Sequence, residues 1–325
     1  MSRIGPRRGS AVLIAVAAAG VLGACGGGSK KDASPSPAPS PPATPQSFPR
    51  GTSLQAIAAN LPQGPILSPG VGQFKRGLNR FGFGLFDPGR KAITGAQVGV
   101  YVASANGSKA RGPYWARNES LAVKPQFQSR TNGQDPNAAK SVYVANFPLT
   151  AGRDHLVLAI ANLDGRLVAS TATPIQVGSR GPPPVGAPAP RIHTPTSPPS
   201  PIASIDTRVP PDSMHNVDFA SVVGRKPVVL VFATPALCQS RVCGPIVDEV
   251  EQLKATYGSR MAFIHMEVYK NNNIQDGYRP EFLAWRLPSE PRVFTIDRRG
   301  RIAAELEGPA STGEIRQAIE RALRS

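Results

Sequence analysis

The stretch "KPVVLVFATPALCQSRVCGPIVDEVEQL", residues 226–253, decides how the C-terminal half of the chain folds. Residues 228–232 are an unbroken Val/Leu/Phe run, the pattern of a parallel strand covered on both faces. From Cys243 onward, Ile246, Val247, Val250 and Leu253 fall on one helical stripe. Between strand and helix lie Cys238 and Cys243, two of the three cysteines in 325 residues. A cysteine at a helix start meets unpaired backbone N–H groups and the positive dipole end, which favour its thiolate. Cys238 is expected in that position, and Cys243 within the helix as a resolving thiol. Residues five apart in a continuous α-helix stand about 8.6 Å apart at Cα, beyond disulfide reach. A bond between the two therefore requires Cys238 outside the helix, or an unwound first turn.

Outward from that stretch, "MAFIHMEVY" (261–269) reads as a second strand and "EFLAWRL" (281–287) as a short helix. "RVFTID" (292–297) and "RIAAEL" (301–306) form a hairpin, and a helix follows the capping box Ser311 to Glu314. With this order, β-α-β-α-β-β-α, residues 217–325 resemble the thioredoxin superfamily, most closely its extracytoplasmic redoxin-type thiol–disulfide oxidoreductases. "GRKPVVLVFA" is similar to their approach strand, "CGPIVDEVEQL" to the active-site helix with its kinking proline (Pro245), and "SEPRVFTIDRRGRI" to the cis-proline loop and hairpin. The resemblance implies an α/β thioredoxin-like fold and thiol–disulfide exchange with protein thiol or disulfide clients. It also implies Pro291 at the cis-proline position, shaping the substrate groove after Glu290, and no cofactor beyond the cysteines. The chain departs from the family in spacing its pair Cys-x4-Cys rather than Cys-x2-Cys, and in having Leu237 where a Trp commonly precedes the nucleophile.

Two other readings stay open. Cys-x4-Cys also resembles peroxiredoxins of the bacterioferritin-comigratory type, with Thr234 and Arg292 each one step from the positions that family uses. Alternatively, the pair is a structural disulfide in a redox-inactive binding module. Metal binding is the weakest reading: related copper-handling proteins place a histidine far downstream, and none follows His265, which is expected to be a satisfied core residue. No metal site is expected.

Compartment supports disulfide chemistry. Arg3, Arg7 and Arg8 precede an apolar stretch, residues 11–22, that spans about 18 Å as a helix against a bilayer core of about 30 Å. Residues 1–24 are read as an export signal. Leu22-Gly23-Ala24-Cys25 resembles a bacterial lipobox, which implies diacylglyceryl attachment at Cys25 and a lipid-anchored protein on the extracytoplasmic face of the cell membrane. With Cys25 acylated, Cys238 and Cys243 are each other's only intramolecular partner, in a compartment where disulfides persist.

Proline-rich stretches set the remaining boundaries. Residues 25–50 and 179–201 read as a tether and a linker without a core of their own. They leave two segments, 51–178 and 202–325. The first carries alternating strands at 80–87, 96–104, 140–149, 154–163 and 166–177, separated by turns such as Asp164-Gly165. It is expected to be an all-β immunoglobulin-like sandwich, serving as a spacer or recognition module. "KARGPYWARNES" (109–120) is either a binding loop or a cover over one end of the core through Tyr114 and Trp115. His155 has no catalytic partner in the sequence. The net charge of +16 falls to +13 without the three signal arginines. Its basic residues are dispersed, with no nucleic-acid motif, so the expected electrostatic partner is at most an anionic envelope surface.

Overall fold

The computed structural model describes residues 47–150, 154–178, 181–238 and 240–325. The export signal, Cys25 and nearly all of the first tether lie outside the described residues.

The N-terminal strands are β1 (Ile66–Pro69), β2 (Gly77–Phe86), β3 (Gln97–Ser104), β4 (Arg111–Ser120), β5 (Ser141–Leu149), β6 (Asp154–Leu163), β7 (Arg166–Ala169) and β8 (Thr173–Gln176). Helix α1 (Leu54–Ala58) precedes them, and α2 (Arg130–Gln134) lies between β4 and β5. Asp164 and Gly165 turn β6 into β7 with φ of 51° and 84°, the left-handed pair that a two-residue hairpin needs.

Two separate sheets were expected for a sandwich. The strands form one antiparallel sheet instead, in the order β1-β2-β5-β4-β3-β6-β7, with β8 on β6. The reason lies in β4, which changes partner along its length. Its residues 111–116 pair with β3, and 117–120 pair with β5. The sheet thus curls until Phe81, Phe83, Tyr143 and Phe147 of one half meet Val98, Val100, Val157 and Ala159 of the other in a single core. A second cluster, Leu54 and Ile57 of α1 with Tyr101, Leu158 and Ile160, covers the outer face of β3 and β6. The stretch 109–120 is largely strand β4 rather than a loop. Tyr114 packs on the inner core beside Phe147, whereas Trp115 points to the other face, 51 % exposed against Phe48.

The C-terminal elements are α3 (Phe219–Val222), β9 (Val228–Phe232), α4 (Cys243–Tyr257), β10 (Ala262–Met266), α5 (Pro280–Ala284), β11 (Arg292–Ile296), β12 (Ile302–Glu307) and α6 (Thr312–Arg324). The sheet order is β10-β9-β11-β12, with β9 and β10 parallel and β11 antiparallel to both neighbours. Parallel neighbours need a crossover, and α4 supplies it. On one face Ile246, Val250 and Leu253 of α4 and Ile315 and Ile319 of α6 cover Val229, Val231 and Val293. On the other, Phe219, Phe282 and Trp285 cover Leu230, Phe232 and Phe294. Coverage on both sides accounts for the unbroken apolar run in β9. Ser311 and Glu314 make the expected reciprocal cap of α6.

The stretch expected as a linker is packed over its described residues 181–201. Proline withholds its N–H, but the carbonyls and the intervening amides pair along β12 and its turn. Ile302 N–H donates to Ala187 C=O (3.0 Å), Gly186 N–H to Ile302 C=O (2.8 Å) and Ala189 N–H to Gly300 C=O (2.9 Å). Ile192 is buried in the C-terminal core. The two sheets also touch. Arg80 of β2 forms a two-pronged ion pair with Glu314 (2.8 Å) and donates to the Pro309 carbonyl (2.6 Å). All described residues fall within one compact unit.

Candidate active site around the Cys238–Cys243 pair

Cys238 and Cys243 form a disulfide with Cα atoms 5.9 Å apart, within normal disulfide reach. Cys238 precedes α4, one of the two arrangements that a bond at this spacing allows. Cys243 does not lie within the helix as expected; it is the first helical residue, after Val242 at the N-cap. Arg241, in the left-handed region at φ 57°, turns the chain into the helix at that point.

Helix starts leave backbone N–H groups without helical partners. Here one of them, the Cys243 N–H, donates to Cys238 Sγ at 3.3 Å, and Ser240 Oγ lies 3.3 Å from the same sulfur. Both contacts favour a thiolate at Cys238 once the bond opens. The sulfurs differ in access. Cys238 is half-buried, and Cys243 is fully enclosed beneath it.

Glu290 reaches the enclosed sulfur. Its Oε2 accepts the Thr234 N–H (2.5 Å) and lies 3.7 Å from Cys243 Sγ. Burial pushes this carboxyl up to about 7, against the Thr234 N–H bond that favours its charge, and Glu267 adds repulsion. Glu290 and Pro291 are joined by a cis peptide, and Pro291 is buried with its carbonyl accepting the Gly308 N–H (2.9 Å).

The open space beside Cys238 is a groove of about 500 Å³. Cys238, Arg241 and Pro245 line one side, and Ser129, Asn132 and Asp135 line the other. The second wall comes from the α2 segment of the N-terminal sheet, which nothing in the sequence connected with the cysteines. One ion pair and a set of hydrogen bonds fix it there. Arg241 pairs with Asp135 at 2.6 Å near the surface. Beneath, buried Asp248 of α4 accepts from Ser129 N–H (3.0 Å), Asn132 Nδ2 (3.0 Å) and Arg208 Nε (2.8 Å).

The side chains named for the peroxidase reading are engaged with other partners. Arg292 is buried and ion-paired with Glu305 and with Glu307 (2.8 Å). Thr234 is buried, its Oγ1 accepting the Val268 N–H (3.0 Å). His155 is buried with Nε2 unpartnered.

His265 is buried as expected, but in charged company the sequence reading missed. Its Nε2 lies 2.9 Å from the Ala233 carbonyl and its Nδ1 2.7 Å from Asp212 Oδ2. Burial opposes a charge on this ring, yet Asp212 overrides it and pushes His265 up to about 10. His215 is likewise raised, against burial, by Asp206 and Asp212. Asp206, Asp212 and His215 fall within ten residues of "IDTRVPPDSMH", a density of ligand-type side chains that was visible beside the linker.

The strand order, the helix starting at the cysteine pair and the Glu290–Pro291 loop beside it follow the element order expected from the sequence. No protein-family model matches the chain, and no curated protein matches it. Among solved structures, the chain is similar to a thioredoxin-family thiol:disulfide interchange protein from Chlorobium tepidum TLS, at 19% identity and a TM-score of 0.30 over 45% of this chain and 99% of that one. It is also similar to a putative thiol:disulfide interchange protein DsbE from Chlorobium tepidum, at 17% identity and a TM-score of 0.32 over 43% of this chain and 98% of that one. Among the described residues, no helix is long and apolar enough to cross a membrane.

Proposed function

We propose that the protein is an extracytoplasmic thiol–disulfide oxidoreductase, held to the membrane by acylated Cys25, with protein thiols or disulfides as clients. The observation that carries this reading is the asymmetry of the pair: an accessible sulfur in a groove at a helix start, over an enclosed sulfur beside a protonatable carboxyl.

A client thiolate attacks Cys238 Sγ, the accessible atom. The Cys238–client bond forms and the Cys238–Cys243 bond breaks, with its electron pair passing to Cys243. Glu290, protonated below about 7, gives that sulfur its proton. A second client thiolate attacks the client sulfur of the mixed disulfide and releases Cys238 as a thiolate, stabilised by the Cys243 N–H. The client leaves as a disulfide and the protein as a dithiol. Run backwards, Cys238 attacks a client disulfide, and Cys243 resolves the mixed disulfide after losing its proton to Glu290.

The N-terminal sheet, expected as an immunoglobulin-like spacer or recognition module, serves recognition in this reading, because its α2 segment forms one wall of the groove. Pro291 supports the site from beneath through Glu290. Arg292, spent on two carboxylates, leaves the peroxidase reading without its peroxide-polarising group.

Trapping tests the proposal. Cys243→Ser should accumulate mixed disulfides with extracytoplasmic proteins through Cys238, while Cys238→Ser should accumulate few. If neither traps a client and the wild-type pair has a potential below about −300 mV, the bond is a structural staple.

A further inference from the structure

A second cluster of ligand-type side chains contains neither cysteine. Asp206, Asp212 and His215 come from the loop 205–215 and His265 from β10. All four are buried, with one ligand atom from each within 4.8 Å of the others.

His215 is the telling member. It is 3 % exposed, and neither ring nitrogen has a hydrogen-bond partner. Its Nε2 stands 3.4 Å from Asp206 Oδ2 and 3.4 Å from Asp212 Oδ1. Two ligands bound at about 2.1 Å to one tetrahedral ion stand about 3.4 Å apart. The other members are held in the manner of ligands. The Ala233 carbonyl accepts the His265 Nε2–H, so Nδ1, which now shares a proton with Asp212 Oδ2 at 2.7 Å, becomes the ligand atom once that proton leaves. Asp206 accepts the N–H groups of Arg208 (2.8 Å) and Asp212 (2.7 Å), and Asp212 accepts that of Met214 (2.7 Å). Each of these oxygens keeps a second lone pair.

Each buried carboxylate has an imidazole beside it: Asp212 Oδ2 faces His265 Nδ1 at 2.7 Å, and Asp206 Oδ2 faces His215 Nε2 at 3.4 Å. A bound cation would take over the counter-charge that protonated imidazoles supply without it. Arg208, in the same loop, turns its guanidinium to Asp248 and to the carbonyls of Pro210 and Phe127.

We propose that Asp206, Asp212, His215 and His265 bind one divalent transition-metal ion, with zinc the best fit to two imidazoles and two carboxylates. Four protein ligands close the coordination sphere, so the ion is structural. It pins the 205–215 loop to β10 below Ala233, where the chain leaves β9 for the cysteine segment. Exposed Pro211 and Ser213 flank Asp212, so the ion reaches the site by displacement of a surface loop. This site stands independently of the disulfide chemistry proposed above.

The test uses the full chain with its disulfide oxidised, so that the thiols cannot bind metal. The protein is stripped with EDTA, given zinc, desalted and assayed for metal. One zinc per chain is expected, retained by Cys238→Ser/Cys243→Ser and by His193→Ala, which removes an exposed histidine. His215→Asn should weaken zinc binding at least tenfold. X-ray absorption of the zinc-loaded wild type should show nitrogen and oxygen ligands at about 2.0–2.1 Å, with imidazole scattering and no sulfur. That spectrum decides the matter even if His215→Asn fails to fold. A metal-free wild type, sulfur in the shell, or unchanged binding by folded His215→Asn would overturn the site and leave a proton-bridged cluster of histidines and aspartates.

Discussion

The two sheets hide their apolar residues by different means. The four-stranded sheet is covered by helices on both faces, and the cysteine pair lies where β9 gives way to α4. The eight-stranded sheet covers itself by curling, with β4 as the strand shared between its two halves. Its excursion between β4 and β5 walls the groove beside Cys238. In the proposed reaction this excursion helps to decide what reaches the accessible sulfur. The comparison holds only if the two sheets act as one body.

Core substitutions test that most severely. Phe147→Ala in β5 and Phe294→Ala in β11 should each cost about 3–5 kcal/mol, since both rings are fully buried. Both should move the same single unfolding transition in urea. Two separate transitions, each sensitive to only one substitution, would show that the sheets are independent. Limited proteolysis gives a parallel readout: there should be no early cleavage in 182–201.

Next in size is Glu290. Glu290→Gln should slow closure of Cys243 onto a mixed disulfide by about 10²-fold, the lower range for losing a general base. In the wild type that step should speed up as pH rises through about 7, where the carboxyl ionises. The variant should lose this rise. An unchanged profile would remove Glu290 from the reaction.

Stability should show the opposite pH trend. Glu290 is raised to about 7 and Glu249 to about 8, in both cases chiefly by burial, from the ordinary 4.5. Between these limits the unfolded chain binds fewer protons than the native one, so stability falls as pH rises. The favourable contribution is complete below about 4.5 and lost through about 7 to 8. The urea midpoint should therefore drop between pH 5 and pH 8.5, and Glu249→Gln should flatten part of that slope.

The smallest effect belongs to the rim of the groove. Arg241 and Asp135 form an exposed pair, so Asp135→Asn should change stability by less than about 1 kcal/mol. It should nonetheless alter the rate of mixed-disulfide formation with clients, because the pair spans the two walls. Identical client kinetics would return the N-terminal sheet to the role of a spacer.

The sequence by itself determined what depends on local period and local backbone preference. The Val/Leu run of β9, the stripe of α4, the Ser311–Glu314 cap and the Asp164-Gly165 hairpin were legible, because each is set by residues within one or two turns of chain. The spacing of the cysteines likewise limited a bonded pair to Cys238 outside the helix or an unwound first turn. Only the tertiary structure decided that Cys243 opens α4, that β4 divides its pairing between two strands, and that proline-rich 181–201 is packed rather than free. It alone set Glu290 against Cys243 and brought Asp135 opposite Arg241, or Asp206 and His215 beside His265. Those meetings join residues tens to more than a hundred positions apart. Their cause is the closing of two cores around shared edges, which periodicity in a short window does not encode.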